Sequence, residues 1–248
     1  MQTQYFKEHS CFLKRDMEFK VYGHCGQPCL AFACEGGRFY DWEDHGMIDA
    51  LSPLIESGKI QVFCADSVDS ESWMGQQDDR ERTETQERWF NYLCSELVPR
   101  ILEINAEDGK PYETVLPMGI SLGACHAITL YLRRPELFCG AVGLSGSYLP
   151  SGWFGHYTDD LVLRNSPLDL LRLTSASRAK NFNGPLWLCC GQGAYEERFL
   201  AETNELVNAL NKHKIPVQLE LWGDDSCHDW NWWKKQLPLF VQRCLDVL

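Results

Sequence analysis

Short apolar runs alternate with longer stretches of helical periodicity along most of this 248-residue chain. Apolar residues recur at helical spacing over 87–104, 197–213 and 232–248. Strands that alternate with helices in this way are typical of βαβ units around a parallel sheet. We therefore predict an α/β fold with a mainly parallel central sheet and helices on both faces. Its buried strands are predicted at "KIQVFCADS", "TVLPMGIS", "GAVGLSGS", "PLWLCCG" and "PVQLELWG".

The N-terminal part of the chain predicts a different kind of strand pairing. The segment "MEFKVYGH" alternates apolar and polar residues, and "QPCLAFAC" follows it after a Gly-Gln-Pro turn. We interpret the two as an antiparallel pair that leads into the sheet. No repeat, low-complexity tract or Gly/Ser linker marks a boundary, so residues 1–248 are expected to form a single domain.

Two stretches interrupt the alternation of strands and helices. Residues 66–88 are strongly polar with charges of both signs, which favours a solvent-exposed loop and helix face. Residues 149–183 form a long excursion after a predicted strand and contain several aromatic side chains. Loops of that length usually cover or shape a site, so we predict a lid-like insertion at 149–183.

Charge and cysteine content narrow the class of protein. The 35 acidic residues outnumber the 23 basic ones, and the formal net charge of -12 argues against a nucleic-acid partner. The N-terminus lacks the apolar segment of a secretory signal, and no run approaches the ~20 apolar residues of a membrane span. Twelve cysteines in such a chain are expected to be free thiols in the cytoplasm, and their spacings match no metal site.

The stretch "MGISLGACHA" places Ser121 between Gly119 and Gly123, where a predicted strand ends and a helix begins. A Gly-x-Ser-x-Gly turn in this setting projects the serine hydroxyl above the sheet edge, and glycine avoids clashes at the crowded flanking positions. The amide of Leu122 then lies at a helix start, where it can bind a developing oxyanion. A tight packing corner is the structural alternative, and "GLSGS" around Ser145 is a near match in the same chain.

A serine nucleophile requires a base, and four histidines follow Ser121. His126 lies in the same helix and faces away, which indicates packing. His213 lies at a helix C-terminus, where it complements the helix dipole. His156 falls within the predicted lid. Only His228 follows a predicted strand on a loop at the same sheet edge as the serine, so we predict that His228 is the base.

The acid that orients the base is expected after the strand "PLWLCCG". The loop offers Glu196, Glu197 and Glu202. Glu196 lies nearest to the strand end and is preferred. Glu197 stays open as the alternative, although at the first turn of a helix it also complements the dipole.

The loop "EGGRFYDWEDHGM" follows the early strand and is the expected source of a second oxyanion donor. The amides of Gly37 and Arg38 are the candidates, and Arg38 is also a candidate substrate contact. A simple strand-to-helix turn is the alternative for this loop. Trp73, Trp153 and Tyr157 are candidates for lining a sugar or aryl pocket, with packing in the lid as the equal alternative.

With these residues in order, the chain resembles the putative esterase branch of the α/β-hydrolases. That branch includes esterase D type enzymes, feruloyl and acetyl-xylan esterases, mycolyltransferases and compact bacterial esterases. The resemblance covers most of the chain and implies the α/β-hydrolase fold, with Ser121, Glu196 and His228 as catalytic triad and the amides of Gly37 and Leu122 as oxyanion donors. The matching segments are "GGRFYDWEDHGM", "GISLGACHA", "GLSGSY", "GQGAYEE" and "CHDWNWWKKQLPLF".

The resemblance implies a serine esterase that cleaves a small-molecule carboxylic ester through an acyl-enzyme, with neither metal nor organic cofactor. Acyl transfer to a sugar, alcohol or thiol acceptor is the enzymatic alternative, because the fold does not determine the acceptor. A binding protein that kept the fold and lost turnover is the alternative from another class. The sequence does not determine the oligomeric state, and a homodimer is compatible with it.

Overall fold

One eight-stranded sheet runs through the computed structural model, which describes residues 1–107, 111–174, 182 and 184–248. The strands are Thr3–Ser10 (β1), Arg15–Tyr22 (β2), Gln27–Phe32 (β3), Ile60–Ala65 (β4), Leu116–Ile120 (β5), Ala141–Leu144 (β6), Leu186–Cys190 (β7) and Gln218–Leu221 (β8). Their order across the sheet is β1-β2-β4-β3-β5-β6-β7-β8.

Strands β3 to β8 run parallel to one another, whereas β2 is antiparallel to both β1 and β4. The predicted mainly parallel sheet with an antiparallel N-terminal pair is confirmed. The partners assigned to that pair were wrong, because β2 pairs with β1 and β3 lies between β4 and β5. Strand β1 gave a weak signal because it lies at the sheet edge, and only its last residue is buried.

The helices cover both faces of the sheet, as predicted. The helices are Asp41–Asp44 (α1), Met47–Glu56 (α2), Asp79–Tyr92 (α3), Val98–Glu107 (α4), Leu122–Arg133 (α5), Asp160–Asn165 (α6), Pro167–Leu173 (α7), Glu197–Lys212 (α8) and Trp230–Leu245 (α9). One apolar core packs α3, α4, α5, α7 and α8 against one face of the sheet, and a second core packs α2 and α9 against the other face. A π-helical turn at Leu93–Leu97 joins α3 to α4, and short 3-10 turns lie at Asp69–Glu71 and Pro150–Phe154.

The polar stretch 66–88 is only partly the solvent-exposed face that its composition predicted, because its exposed residues are interspersed with buried ones. Ser72 and Gln86 are buried and bonded to each other, with 3.0 Å between Ser72 Oγ and Gln86 Oε1. Arg82 is also buried, and its Nε donates to the Ser72 carbonyl at 2.9 Å. The prediction failed because these polar groups satisfy one another, which a count of charges does not reveal.

The segment predicted as a lid contains α6 and α7, whereas its residues 175–181 and 183 lie outside the described part of the chain. Glu87 of α3 ties α6 to the body of the protein. Its carboxylate accepts bonds from Arg133 of α5 at 2.7 Å and from Asn165 of α6 at 2.9 Å. Burial by itself raises the pKa of Glu87, but the bonds from Arg133 and Asn165 and the charge of Arg164 outweigh it, so the pKa is lowered.

We expect Glu87→Gln to lower the free energy of unfolding at pH 7 by about 1–3 kcal/mol, since a hydrogen-bonded charge is removed beside a half-buried arginine. Because the folded-state pKa of Glu87 is lowered, its contribution is present above the ordinary value of 4.5 and is lost as the pH falls through the folded-state pKa. Urea denaturation of both proteins at pH 7 and near pH 4 checks this, and the difference should shrink at the lower pH.

The matched control is Glu205→Gln. The Glu205 carboxylate is more exposed than that of Glu87 and pairs with Arg172, with 3.1 Å between Glu205 Oε1 and Arg172 Nη2. Exposed ion pairs contribute about 0–1 kcal/mol, so this variant should stay close to wild type. A difference between wild type and Glu87→Gln that is the same at both pH values would contradict the assigned role.

Candidate active site

The backbone at Ser121 is in a strained conformation, as the turn between β5 and α5 requires. Its φ of 54° and ψ of −122° lie in a region that residues with side chains rarely adopt. A Cβ at Gly119 would lie 2.1 Å from the Gly123 carbonyl oxygen, and a Cβ at Gly123 would lie 2.1 Å from that of Ala33. Both flanking positions therefore require glycine, and the motif forms the sharp strand-to-helix turn that the sequence indicated.

His228 reaches Ser121 from the loop between β8 and α9. Its Nε2 lies 3.0 Å from Ser121 Oγ, within hydrogen-bonding distance. The ring stacks on Phe199 with 3.8 Å between centroids, and the edge of Trp233 packs against it at 4.8 Å. The next residue, Asp229, caps α9 by accepting the amides of its first turn. The imidazole is therefore held between a helix start and two aromatic rings.

Glu196 lies on the far side of the imidazole from the serine. Its Oε2 is 3.3 Å from His228 Nδ1, and the residue is only 1% exposed. Glu197 begins α8 and is exposed to solvent. Glu202 is bonded elsewhere, since it accepts the Leu149 amide at 2.9 Å. Of the three glutamates considered, only Glu196 contacts His228.

Ser145, the serine of the near-match "GLSGS", is a site residue that the sequence analysis missed. Its hydroxyl donates to Glu196 Oε1 at 2.5 Å and accepts from Trp233 Nε1 at 3.2 Å. Ser145 follows β6, and β6 lies between the strands that lead to Ser121 and Glu196. Strand order was the signal that could have found it, because the residue after the middle strand must lie close to those after its neighbours.

A thiol also contacts the glutamate. Cys190 Sγ lies 3.3 Å from Glu196 Oε2. Burial raises the pKa of Cys190 well above its ordinary range, and the negative charge of Glu196 raises it further. The thiol therefore stays protonated and acts as a weak donor to the carboxylate.

The predicted oxyanion donors differ in availability. The Leu122 amide lies in the first turn of α5, where amides lack an intrahelical acceptor. The Gly37 amide, in contrast, already donates to the Cys34 carbonyl at 3.0 Å, and the Arg38 amide donates to Asp41 Oδ2 at 2.9 Å. Because an amide has one N–H, neither is available to an oxyanion in this conformation, which counts against the role predicted for Gly37.

The predicted substrate contacts fall into two groups. Trp73 and Trp153 line one cavity of about 470 Å³, and Trp73 belongs to the same apolar cluster as Leu122. Arg38 instead forms an ion pair with Asp66, with 2.8 Å between Nε and Oδ1. The Tyr157 hydroxyl donates to Asp159 Oδ2 at 2.8 Å. Arg38 and Tyr157 do not line this cavity and have structural partners of their own.

All twelve cysteines carry free thiols in the structure. Among the described residues, no cluster of three or more histidine, cysteine or acidic side chains is arranged to hold a metal ion. No helix within 1–107, 111–174 and 184–248 combines the length and apolar character needed to cross a membrane.

Comparison with known proteins places the chain in a family. The model of the family described as "Putative esterase" matches residues 10–243. No curated protein matches the chain. A solved ferulic acid esterase is 14% identical with a TM-score of 0.77, and the match covers 100% of this chain and 99% of that one.

Two further solved structures have similar folds at similarly low identity. A ferulic acid esterase from Anaeromyces mucronatus is 13% identical with a TM-score of 0.72, and the match covers 98% of this chain and 90% of that one. An S-formylglutathione hydrolase from Staphylococcus aureus is 14% identical with a TM-score of 0.69, and the match covers 98% of this chain and 97% of that one. The chain therefore has the α/β-hydrolase fold and belongs to the Putative esterase family.

Proposed function

We propose that this protein is a serine esterase that hydrolyses a carboxylic ester through an acyl-enzyme, with Ser121, His228 and Glu196 as its triad. Family membership supports a carboxylic ester hydrolase. The observation that carries the finer proposal is the continuous contact from Ser121 Oγ to His228 Nε2, 3.0 Å, and from His228 Nδ1 to Glu196 Oε2, 3.3 Å. These are the distances that proton transfer and ring orientation require.

In the first half of the reaction, Ser121 Oγ attacks the ester carbonyl carbon while His228 Nε2 takes its proton. The oxyanion that forms is stabilised by the Leu122 amide at the start of α5, and one such donor is typically worth about 3–4 kcal/mol. The imidazolium then protonates the leaving alcohol, and the acyl group stays on Ser121. In the second half, His228 deprotonates a water molecule that attacks the acyl carbon. The bond to Ser121 Oγ then breaks, the imidazolium returns its proton to Oγ, and the acid leaves.

Glu196 orients the imidazole and stabilises its charged form. With Nδ1–H donating to the carboxylate, Nε2 is the free acceptor that the serine needs. Ser145 and Cys190 donate to the same carboxylate, at 2.5 Å and 3.3 Å. We infer that Ser145 and Cys190 fix the position of Glu196, so that two side chains outside the triad help to position the acid.

The substrate we propose is a small-molecule ester, with part of it in the cavity lined by Trp73 and Trp153. No step of this route uses a metal or an organic cofactor. A product assay identifies the acceptor of the acyl group. In this assay, purified protein is given a p-nitrophenyl ester with and without an added alcohol, sugar or thiol. Free acid as the product in both cases supports hydrolysis, and an acylated acceptor as the main product would favour acyl transfer.

We expect Ser121→Ala to lower turnover of p-nitrophenyl acetate by about 10⁴-fold or more, since the nucleophile is lost. It should also abolish covalent labelling by a fluorophosphonate while the unfolding transition is preserved. Stopped assays and intact-mass spectrometry measure the two effects. Wild-type protein that neither hydrolyses short esters nor takes up the label would favour a binding protein without turnover.

The acid is tested by comparing Glu196→Gln with Glu197→Gln. The first should lower kcat by about 10³- to 10⁴-fold, because an amide cannot hold the imidazole in the required tautomer or stabilise its charge. The second should stay near wild type, because Glu197 is exposed and does not contact His228. Near-wild-type rates in both variants would exclude Glu196 as the triad acid.

We expect Ser145→Ala to lower kcat by about 10- to 100-fold, the loss of one hydrogen bond to a charged group. Ser147→Ala is the matched control, since Ser147 is a buried serine two residues away whose hydroxyl accepts from Arg198. Steady-state kinetics of both variants over a range of pH provide the test. An equal loss in the two serine variants would show that Ser145 has no specific role in holding Glu196.

A further inference from the structure

His126, assigned to packing by its position in α5, makes a buried polar contact behind the active site. Its Nε2 lies 2.9 Å from Asp69 Oδ1, and the two side chains are 3% and 1% exposed. A carboxylate only accepts hydrogen bonds, so the imidazole donates from Nε2. The ring is fixed by the edges of two aromatic neighbours, Phe32 at 5.9 Å and Trp89 at 4.7 Å between centroids.

The second oxygen of the same carboxylate holds the loop that follows β3. Asp69 Oδ2 accepts the Gly36 amide at 3.1 Å. One buried carboxylate thus connects the helix that begins beside Ser121, the loop after β4 and the β3–α1 loop (33–40). Burying a carboxylate is costly unless it is paired, and apolar residues would pack the same space at lower cost. Core packing alone therefore does not explain why Asp69 and His126 are buried at this position.

The β3–α1 loop lies against the nucleophile turn. The Ala33 carbonyl oxygen would be only 2.1 Å from a Cβ at Gly123, two residues after Ser121. Further bonds from the loop after β4 support the same segment, since the Ser67 amide donates to the Gly37 carbonyl at 3.3 Å. The Asp69 carbonyl also accepts the Met74 amide at 2.8 Å.

Both loops form walls of the cavity lined by Trp73 and Trp153. Glu35 comes from the β3–α1 loop, and Trp73 and Met74 come from the loop after β4. The first wall is anchored to the Asp69 carboxylate through the Gly36 amide, and the second to the Asp69 backbone carbonyl through the Met74 amide. Movement of Asp69 would shift both walls relative to Ser121.

We propose that Asp69 and His126 are positioning residues that hold the β3–α1 loop and the cavity wall in register with Ser121. Neither touches the substrate in this proposal. Their contribution is to hold the backbone of the β3–α1 loop against the turn around Ser121 before the transition state forms. The proposal rests on the esterase function proposed above, but its structural part is testable without turnover.

The test compares Asp69→Ala with Asp69→Asn. Alanine removes both acceptors, so kcat for p-nitrophenyl acetate should fall about 10- to 100-fold with KM within about threefold, the pattern of a lost transition-state interaction. Asparagine can still accept the Gly36 amide, and its NH₂ can donate to His126 in the other imidazole tautomer. Asp69→Asn should therefore stay within about threefold of wild type.

Asn105→Ala is the matched control for a buried polar group away from the site. Asn105 is 1% exposed, and its Nδ2 donates to Gln61 Oε1 at 2.9 Å and to the Gly26 carbonyl before β3 at 3.0 Å. This variant should lose stability but keep wild-type kcat below its melting temperature. If Asp69→Ala does not fold, His126→Leu takes its place, with His126→Gln as the conservative variant that retains a donor.

Hydrogen–deuterium exchange supplies the readout that does not depend on activity. Asp69→Ala should increase exchange of the amides in 33–40 while β5 and α8 stay protected. Unchanged exchange in 33–40, or an unchanged kcat in an active enzyme, would overturn the proposal. If the wild-type protein has no esterase activity, only the proposed function is refuted. The exchange of residues 33–40 in Asp69→Ala would then still test whether Asp69 and His126 hold the β3–α1 loop.

Discussion

The close approach of two backbones at the turn around Ser121 is the constraint on which the candidate site depends. The chain passes so near to itself that a Cβ at Gly123 would lie 2.1 Å from the Ala33 carbonyl oxygen. This approach seats the start of α5 against the end of β3, and Ser121 takes up a strained conformation with a φ of 54°. Strain of this kind persists only where the surrounding structure holds it, and here sheet and helix do so from both sides.

The parallel sheet brings the other groups to that turn. Ser121 follows β5, Ser145 follows β6, Glu196 follows the turn after β7, and His228 lies on the loop after β8. Because β5 to β8 are adjacent and parallel, their carboxyl ends meet at one edge, where ligands of open α/β sheets bind. Residues more than a hundred positions apart in the chain thereby form contacts of about one hydrogen-bond length.

Buried polar groups fix the loops of this edge. Asp69 holds the β3–α1 loop and His126, and Glu87 holds α6. Each carboxylate is paired with a cationic or imidazole partner and receives at least one further hydrogen bond, which offsets the cost of removing its charge from water. The β3–α1 loop and α6 thus gain defined positions relative to the body of the protein.

The sequence by itself determined the class of fold and indicated three side chains that lie in contact at the candidate site. Apolar periodicity indicated a mainly parallel sheet, and the glycines around Ser121 indicated the turn, since a Cβ at Gly119 would clash with the Gly123 carbonyl four residues later. The order of strands and loops led to Glu196 and His228, because each lies on the loop that follows its own strand. Edge strand β1 was missed, since pairing across the sheet supplies the stability that its sparse apolar residues do not.

Only the tertiary structure decided which polar groups are partners. Ser145, the serine of the near match, bonds Glu196, and Arg38 bonds Asp66. His126 bonds Asp69 in addition to packing against Trp89. The Gly37 amide is likewise taken up by a turn within its own loop. These outcomes depend on distances between elements remote in sequence, and hydrogen bonds act over about 3 Å, so local patterns carry no information about them.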